Sequence, residues 1–146
     1  MKYQHANKRI LVVSDDPSAR EALGEMLRAA DFNVLLAENG RSAVRTLMAN
    51  PVSVIVLDFR TRFDAEDSRL KKSKTLSALT DVDPLLPLIL TCDADAELDH
   101  ETALMADLVL KHPVQPSALL DAIDTLLGES LRERVYRKSD YIATLR

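Results

Sequence analysis

With 146 residues, 47% of them hydrophobic and 29% charged, the chain has the composition of an ordinary globular domain, neither disordered nor fibrous. Its net charge of −4 argues against a surface built for nucleic acid, its single cysteine excludes an internal disulfide and fits a reducing cytosol, and no apolar run is long enough to span a bilayer. The segment from Met1 to Arg9 is polar and lacks the apolar stretch of an export signal, so a cytoplasmic location is the expectation.

The elements follow one another in a regular alternation. Ile10-Leu11-Val12-Val13 is a short β-branched run of the kind buried on both faces of a sheet. Asp16-Pro17 supplies an N-cap and a proline at the first helical position, and Ala19, Ala22, Leu23, Met26, Leu27 and Ala30 then fall on one helical stripe. Val34-Leu35-Leu36 forms a second strand, after which Asn39-Gly40 leads into a helix bearing Ala43, Val44, Leu47 and Met48. Val52 to Leu57 is the most apolar strand and ends at Asp58. The polar stretch from Phe59 to Lys74 reads as a connection into a helix around Leu76 and Leu79, closed by Asp83-Pro84. Leu88-Ile89-Leu90 is the fourth strand, followed by a helix from about Ala96 to Ala106. Leu108-Val109-Leu110 is the fifth, and Pro116 opens a last helix carrying Leu119, Leu120, Ile123, Leu126 and Leu127.

Strands and helices in strict alternation predict right-handed crossovers and a parallel sheet covered on both faces, a doubly wound α/β domain. Ligands of such sheets bind beyond the carboxyl ends of the strands. Ser14, Asp15 and Asp16 follow the first strand, Asp58 the third, Thr91 and Cys92 the fourth, and Lys111, His112 and Pro113 the fifth. Carboxylates gathered from two strand ends need a cation between them. Mg²⁺ suits, because it takes oxygen ligands and is commonly held by one or two carboxylates with waters and a phosphate. A carboxylate beside Mg²⁺, with a hydroxyl and a cationic group at hand, is equipped to accept a phosphoryl group. Taken singly these residues have plainer readings: Asp16 as a helix cap, Asp58 as a strand terminator, Thr91 as a strand former, Lys111 and His112 as solvated loop residues.

In order along the chain, Ile10 to Pro17, Arg20 to Leu27, Phe32-Asn33-Val34, Ala37, Asn39-Gly40, Ala43, Val54 to Asp58, Pro87 to Thr91, Ala106-Asp107 through Pro113, Leu119-Leu120 and Ile123 resemble the bacterial response-regulator receiver family, from about Lys8 to Gly128. The resemblance implies a five-stranded, flavodoxin-like (βα)5 domain of strand order 2-1-3-4-5. It implies Asp58 as phosphoacceptor, Asp15 as a direct Mg²⁺ ligand with Asp16 accessory, the main-chain carbonyl of Arg60 as a further ligand, and Thr91 as the hydroxyl that turns toward the phosphoryl group. It also implies a signalling domain rather than an enzyme, supplied by a histidine kinase or phosphotransfer protein and read by a downstream output protein or domain.

Several positions depart from that pattern. Ser14 stands where the family usually has another acid, which predicts weaker metal binding. Thr61-Arg62 replace the Met-Pro pair that usually follows the acceptor, and Val109 takes the aromatic switch position. The family has lysine directly before the proline; here that place is held by His112, with Lys111 one residue earlier. Neighbouring strand residues face opposite sides, so Lys111 reaches the crevice only through a bulge. These departures leave two readings, a receiver phosphorylated on Asp58 and a receiver-like interaction module that works without phosphate. The acidic, glycine-free turn Ser14-Asp15-Asp16-Pro17 speaks against a nucleotide- or flavin-binding site.

The expected division is an N-terminal extension over 1–8, the receiver domain over 9–128 and a helical extension or linker over 129–146. In the tail, Leu131 and Val135 continue the last helix's stripe from Leu127 at i, i+4 spacing. The tail reads either as a solvated extension or as an interaction, homodimerisation or linker segment; no direct nucleic-acid or membrane contact is expected of it.

Overall fold

A computed structural model describes residues 7–59, 65–95, 98 and 100–144. In chain order these form β1 (Arg9–Val13), α1 (Pro17–Ala29), β2 (Asn33–Ala37), α2 (Gly40–Ala49), β3 (Val54–Phe59), α3 (Ala65–Val82), β4 (Leu88–Cys92), α4 (His100–Met105), β5 (Leu108–Lys111), α5 (Pro116–Leu127) and α6 (Leu131–Thr144). The five strands make one parallel sheet in the order β2-β1-β3-β4-β5, as the sequence predicts.

Burial follows position in the sheet. Every residue of the central strands β3 and β4 is buried, whereas most of the edge strands β2 and β5 is only half-buried. The period of two along each strand divides the core into two layers. Ile10, Val12, Val54, Val56 and Ile89 pack with Leu23 and Leu27 of α1 and Leu119, Ile123 and Leu126 of α5. Leu11, Val13, Ile55, Leu57, Leu88 and Leu90 face the other way, toward Ala43 of α2, Leu76 and Leu79 of α3 and Met105 of α4.

Local chemistry sets the helix starts. Asp16 caps α1, its carboxylate accepting the Ser18 amide at 3.3 Å ahead of Pro17. Asn39 and Ser42 form a reciprocal capping box on α2. Gly40 opens that helix against α3: a Cβ there would lie 2.7 Å from Thr75 Oγ1.

Three sequence expectations are corrected. The helix expected around Leu76 and Leu79 begins much earlier, at Ala65, inside the stretch read as a connection. That stretch lacks Gly and Pro after Ala65 and is rich in good helix formers; its polarity speaks to exposure, not to backbone conformation. The fourth helix, expected from about Ala96, spans His100–Met105 among the described residues, with Ala96, Glu97 and Asp99 outside them. The tail does not prolong the α5 stripe. Gly128 ends α5, and a second helix starts afresh, Ser130 and Glu133 exchanging side-chain-to-backbone bonds of 3.1 Å each. Leu131 and Val135 are consequently exposed rather than buried.

Candidate functional site

The same alternation that separates the two core layers assembles the site. Ser14 continues the face of Ile10 and Val12, Asp58 that of Val54 and Val56, Thr91 that of Ile89, and His112 that of Leu108 and Leu110, which pack against the same layer. Four adjacent strands each present one polar residue on the α1/α5 side of the sheet, at or just past the carboxyl end. Lys111 and Cys92 have the opposite parity.

Asp58 is the centre of this group, 4% exposed. Thr91, its direct Cα partner across the β3–β4 ladder, donates its hydroxyl to Asp58 Oδ1 at 2.6 Å. The imidazole Nε2 of His112 stands 2.6 Å from the same oxygen. Ser14 donates its hydroxyl to Oδ2 at 3.0 Å. A buried carboxylate is stable only when hydrogen-bonded, and here both oxygens are engaged by protein groups. Among the described residues no buried side-chain polar atom lacks a partner.

Ser14 is itself held from three sides. Its amide donates to Ala37 O at 3.1 Å, its carbonyl accepts Arg20 Nη1 at 2.9 Å, and its hydroxyl accepts the Asp16 amide at 3.2 Å. Sequence reasoning singled out Ser14 as a missing acid and overlooked it as a partner of Asp58. The signal was available in its parity with Ile10 and Val12.

Of the two candidates at the end of β5, the structure brings His112 to Asp58. Its amide donates to Cys92 O at 2.8 Å, and the His112–Pro113 peptide bond is cis. Lys111 is exposed and pairs in the ladder with Cys92. Thr91, not Cys92, faces Asp58. Asp16 acts as the α1 cap, and Arg60, together with Thr61 and Arg62, lies outside the described residues.

Asp15 is exposed and lines one cleft with Ser14, Asp58, Glu38, Asn39, Gly40 and Thr75. Asp15 and Asp58, at the ends of the first and third strands, therefore line one cleft, with the Asp58 carboxylate itself fully buried. Among the described residues no cluster of three or more His, Cys, Asp or Glu side chains could hold a metal ion by itself. Mg²⁺ asks less than that, since it keeps several waters beside one or two carboxylates, and Asp15 with Asp58 fits such a mode.

Residues 10–124 match the response regulator receiver domain family. Among curated proteins, the chain is 28% identical over 128 residues to the transcriptional regulatory protein GlrR of Escherichia coli (strain K12), covering 86% of this chain. It is 28% identical over 140 residues, 94% of this chain, to a cyclic di-GMP phosphodiesterase of Thermotoga maritima. The chain spans 28% and 35% of the lengths of those two relatives. Among solved structures, the response regulator protein TrrA of Thermotoga maritima, in complex with Mg²⁺-BeF, superposes with a TM-score of 0.69 at 22% identity, covering 82% of this chain and 99% of that one. A response regulator receiver domain protein from Clostridium thermocellum gives 0.68 at 21% identity, with 83% and 94% covered.

Proposed function

This chain belongs to the response regulator receiver domain family, and from that premise we propose that it is a working receiver, which accepts a phosphoryl group on Asp58 and converts it into a change of partner binding. The observation that carries this reading is the convergence of Ser14, Thr91 and His112 on the Asp58 carboxylate, with Asp15 on the same cleft.

In the proposed reaction an oxygen of Asp58 attacks the phosphorus of a donor's phosphohistidine. The new P–O bond forms as the donor's P–N bond breaks, and the imidazole leaves with the electron pair. Transfers of this kind depend mainly on positioning and on neutralising the phosphoryl oxygens. Burial and the hydrogen bonds with Ser14, Thr91 and His112 orient the carboxylate. Asp15 and Asp58, with the Arg60 carbonyl, would hold Mg²⁺, which when bound supplies positive charge for those oxygens. His112 and Thr91, each able to direct a proton at the acceptor, take the positions of the family's lysine and switch hydroxyl. Turning of Thr91 toward the new anion biases a two-state arrangement of β4, β5 and their helices, the surface read by an output partner. The donor is a histidine kinase or phosphotransfer protein. The relatives' longer chains make a downstream output domain or protein the natural recipient.

A second reading, a module that docks partners without phosphate, is favoured by one observation: both oxygens of Asp58 are already satisfied by protein donors. Incubation with Mg²⁺ and a small phosphodonor, followed by intact mass measurement, separates the two. One added phosphoryl group in the wild type and none in Asp58→Asn is expected. No gain, or a gain unaffected by the substitution, would overturn the phosphoacceptor reading.

A further inference from the structure

The hydroxyl of Ser14 accepts the Asp16 amide at 3.2 Å and has two acceptors within reach of its own proton, Asp58 Oδ2 at 3.0 Å and the Asp16 carbonyl at 3.4 Å, of which the nearer and charged carboxylate is the stronger. The backbone around it is pinned by the Ala37 carbonyl on one side and the Arg20 guanidinium on the other. Ser14 is 2% exposed, so water competes poorly for this bond. Oδ1 is already engaged by Thr91 and His112. Oδ2, on the Ser14 side, is thus the oxygen that an ion shared with Asp15 would have to use.

We propose that Ser14 is a cation-sparing positioning residue: its hydroxyl holds Oδ2 of Asp58 in the role a divalent ion would otherwise fill, and Mg²⁺ gains that oxygen only by displacing it. The inference rests on the receiver reading above and deepens it. The acceptor is oriented at low Mg²⁺, and competition with the Ser14 hydrogen bond, not only the number of acids nearby, enters the affinity for the ion.

The distinguishing variant is Ser14→Ala, which removes the competitor without adding a charge. A site that merely lacks an acid would bind Mg²⁺ no better after this change. Displacement of a hydroxyl donating to a carboxylate predicts instead that Mg²⁺ binds about threefold to tenfold more tightly. Ser14→Asp, which adds a ligand charge as well, is expected to tighten binding by about tenfold or more. Ser14→Cys, close in size but a weak donor, should fall between wild type and Ser14→Ala, and serves where the alanine variant folds poorly. Affinities are read by Mg²⁺ titration of backbone amide resonances on the whole chain, with Asp58→Asn as the control that abolishes the Oδ2 response. Equal or weaker Mg²⁺ binding in both Ser14→Ala and Ser14→Cys overturns the proposal. The phosphodonor mass assay on the same samples judges the receiver reading separately: absence of phosphorylation in every variant would end that reading, while the titration still decides the role of Ser14.

Discussion

Asp58 and Thr91 are direct partners across the β3–β4 ladder, and the threonine hydroxyl donates to the carboxylate at 2.6 Å. Parallel register, not loop geometry, sets their approach, because both residues belong to the central strands. Thr91→Val keeps the β-branched shape and removes the donor. Loss of about 1–3 kcal/mol of stability is expected, since the carboxylate stays buried with one partner fewer. In an Asp58→Asn background the same substitution should cost measurably less. Chemical denaturation of the four proteins in a double-mutant cycle gives the coupling, and additive effects would show that the contact contributes nothing.

His112 is the residue of β5's end that reaches Asp58, although Lys111 is the stronger cation in sequence. His112→Ala is expected to slow phosphorylation by a small donor by about tenfold or more, the scale of losing one positioned charge-stabilising donor. Lys111→Ala should leave the rate within about a factor of three, as for an exposed charge that has the opposite parity to His112 on β5. Rates of mass gain for the two variants check this; equal losses would show that both residues serve the acceptor.

Asp107, just before β5, anchors α6. Its carboxylate is 3% exposed and accepts the Leu88 amide at 2.6 Å; it pairs with Arg137 and stands 3.3 Å from Lys138 Nζ. Lys138 also donates to the Pro84 and Leu86 carbonyls at 3.0 Å each. Asp107→Ala leaves a buried ammonium without its counter-charge and an unpaired strand amide, and should cost about 3–5 kcal/mol. Lys138→Met is expected to cost far less, because burial already penalises the charged form and holds the Lys138 pKa below its ordinary value. Thermal unfolding of both variants tests the contrast.

The same anchor carries a pH dependence. The Arg137 guanidinium, bonded to Glu129 at 2.6 and 2.8 Å, holds the Glu129 carboxyl below its usual value of 4.5. A depressed acid stabilises the docked helix fully above its unfolded value, and this contribution is lost as pH falls through the folded one. Lys138 acts with the same slope in alkali: its lowered pKa means that the unfolded chain binds the proton more readily, so stability rises with pH over the window just below 10.5. Protection of the α6 amides, taken relative to their intrinsic exchange rates at each pH, should therefore fall in acid below about pH 4.5, and in Glu129→Gln it should be lower at neutral pH and lose most of this acid response.

Gly40 packs where a side chain has no room. A methyl group there would meet Thr75 Oγ1 at 2.7 Å, and the β-branched threonine has little rotameric freedom to retreat. Gly40→Ala is expected to destabilise by about 1–3 kcal/mol despite better helix propensity, and Thr75→Ser to recover part of the loss. Denaturation midpoints of the single and double variants are the measurement.

The alternation of apolar runs with capped amphipathic stripes was enough to predict a parallel, doubly wound sheet, because burial on both faces leaves its period in the residues themselves. Strand ends named Asp15, Asp58, Thr91 and His112 as candidates for the same reason. Whether Lys111 or His112 turned inward, and whether Thr91 or Cys92 met Asp58, depended on ladder register, which becomes definite only when neighbouring strands pair. Ser14 looked like a deficit because its meaning lies in a hydrogen bond to a residue on another strand. The helical nature of Ala65 to Lys74 was masked by polarity, which reports on solvent and not on φ and ψ. The folding back of α6 was invisible for a related cause: Leu131 and Val135 sit at helical spacing from Leu127, but the turn at Gly128 and the pull of Asp107 on Arg137 and Lys138 are contacts that exist only once the chain has closed on itself.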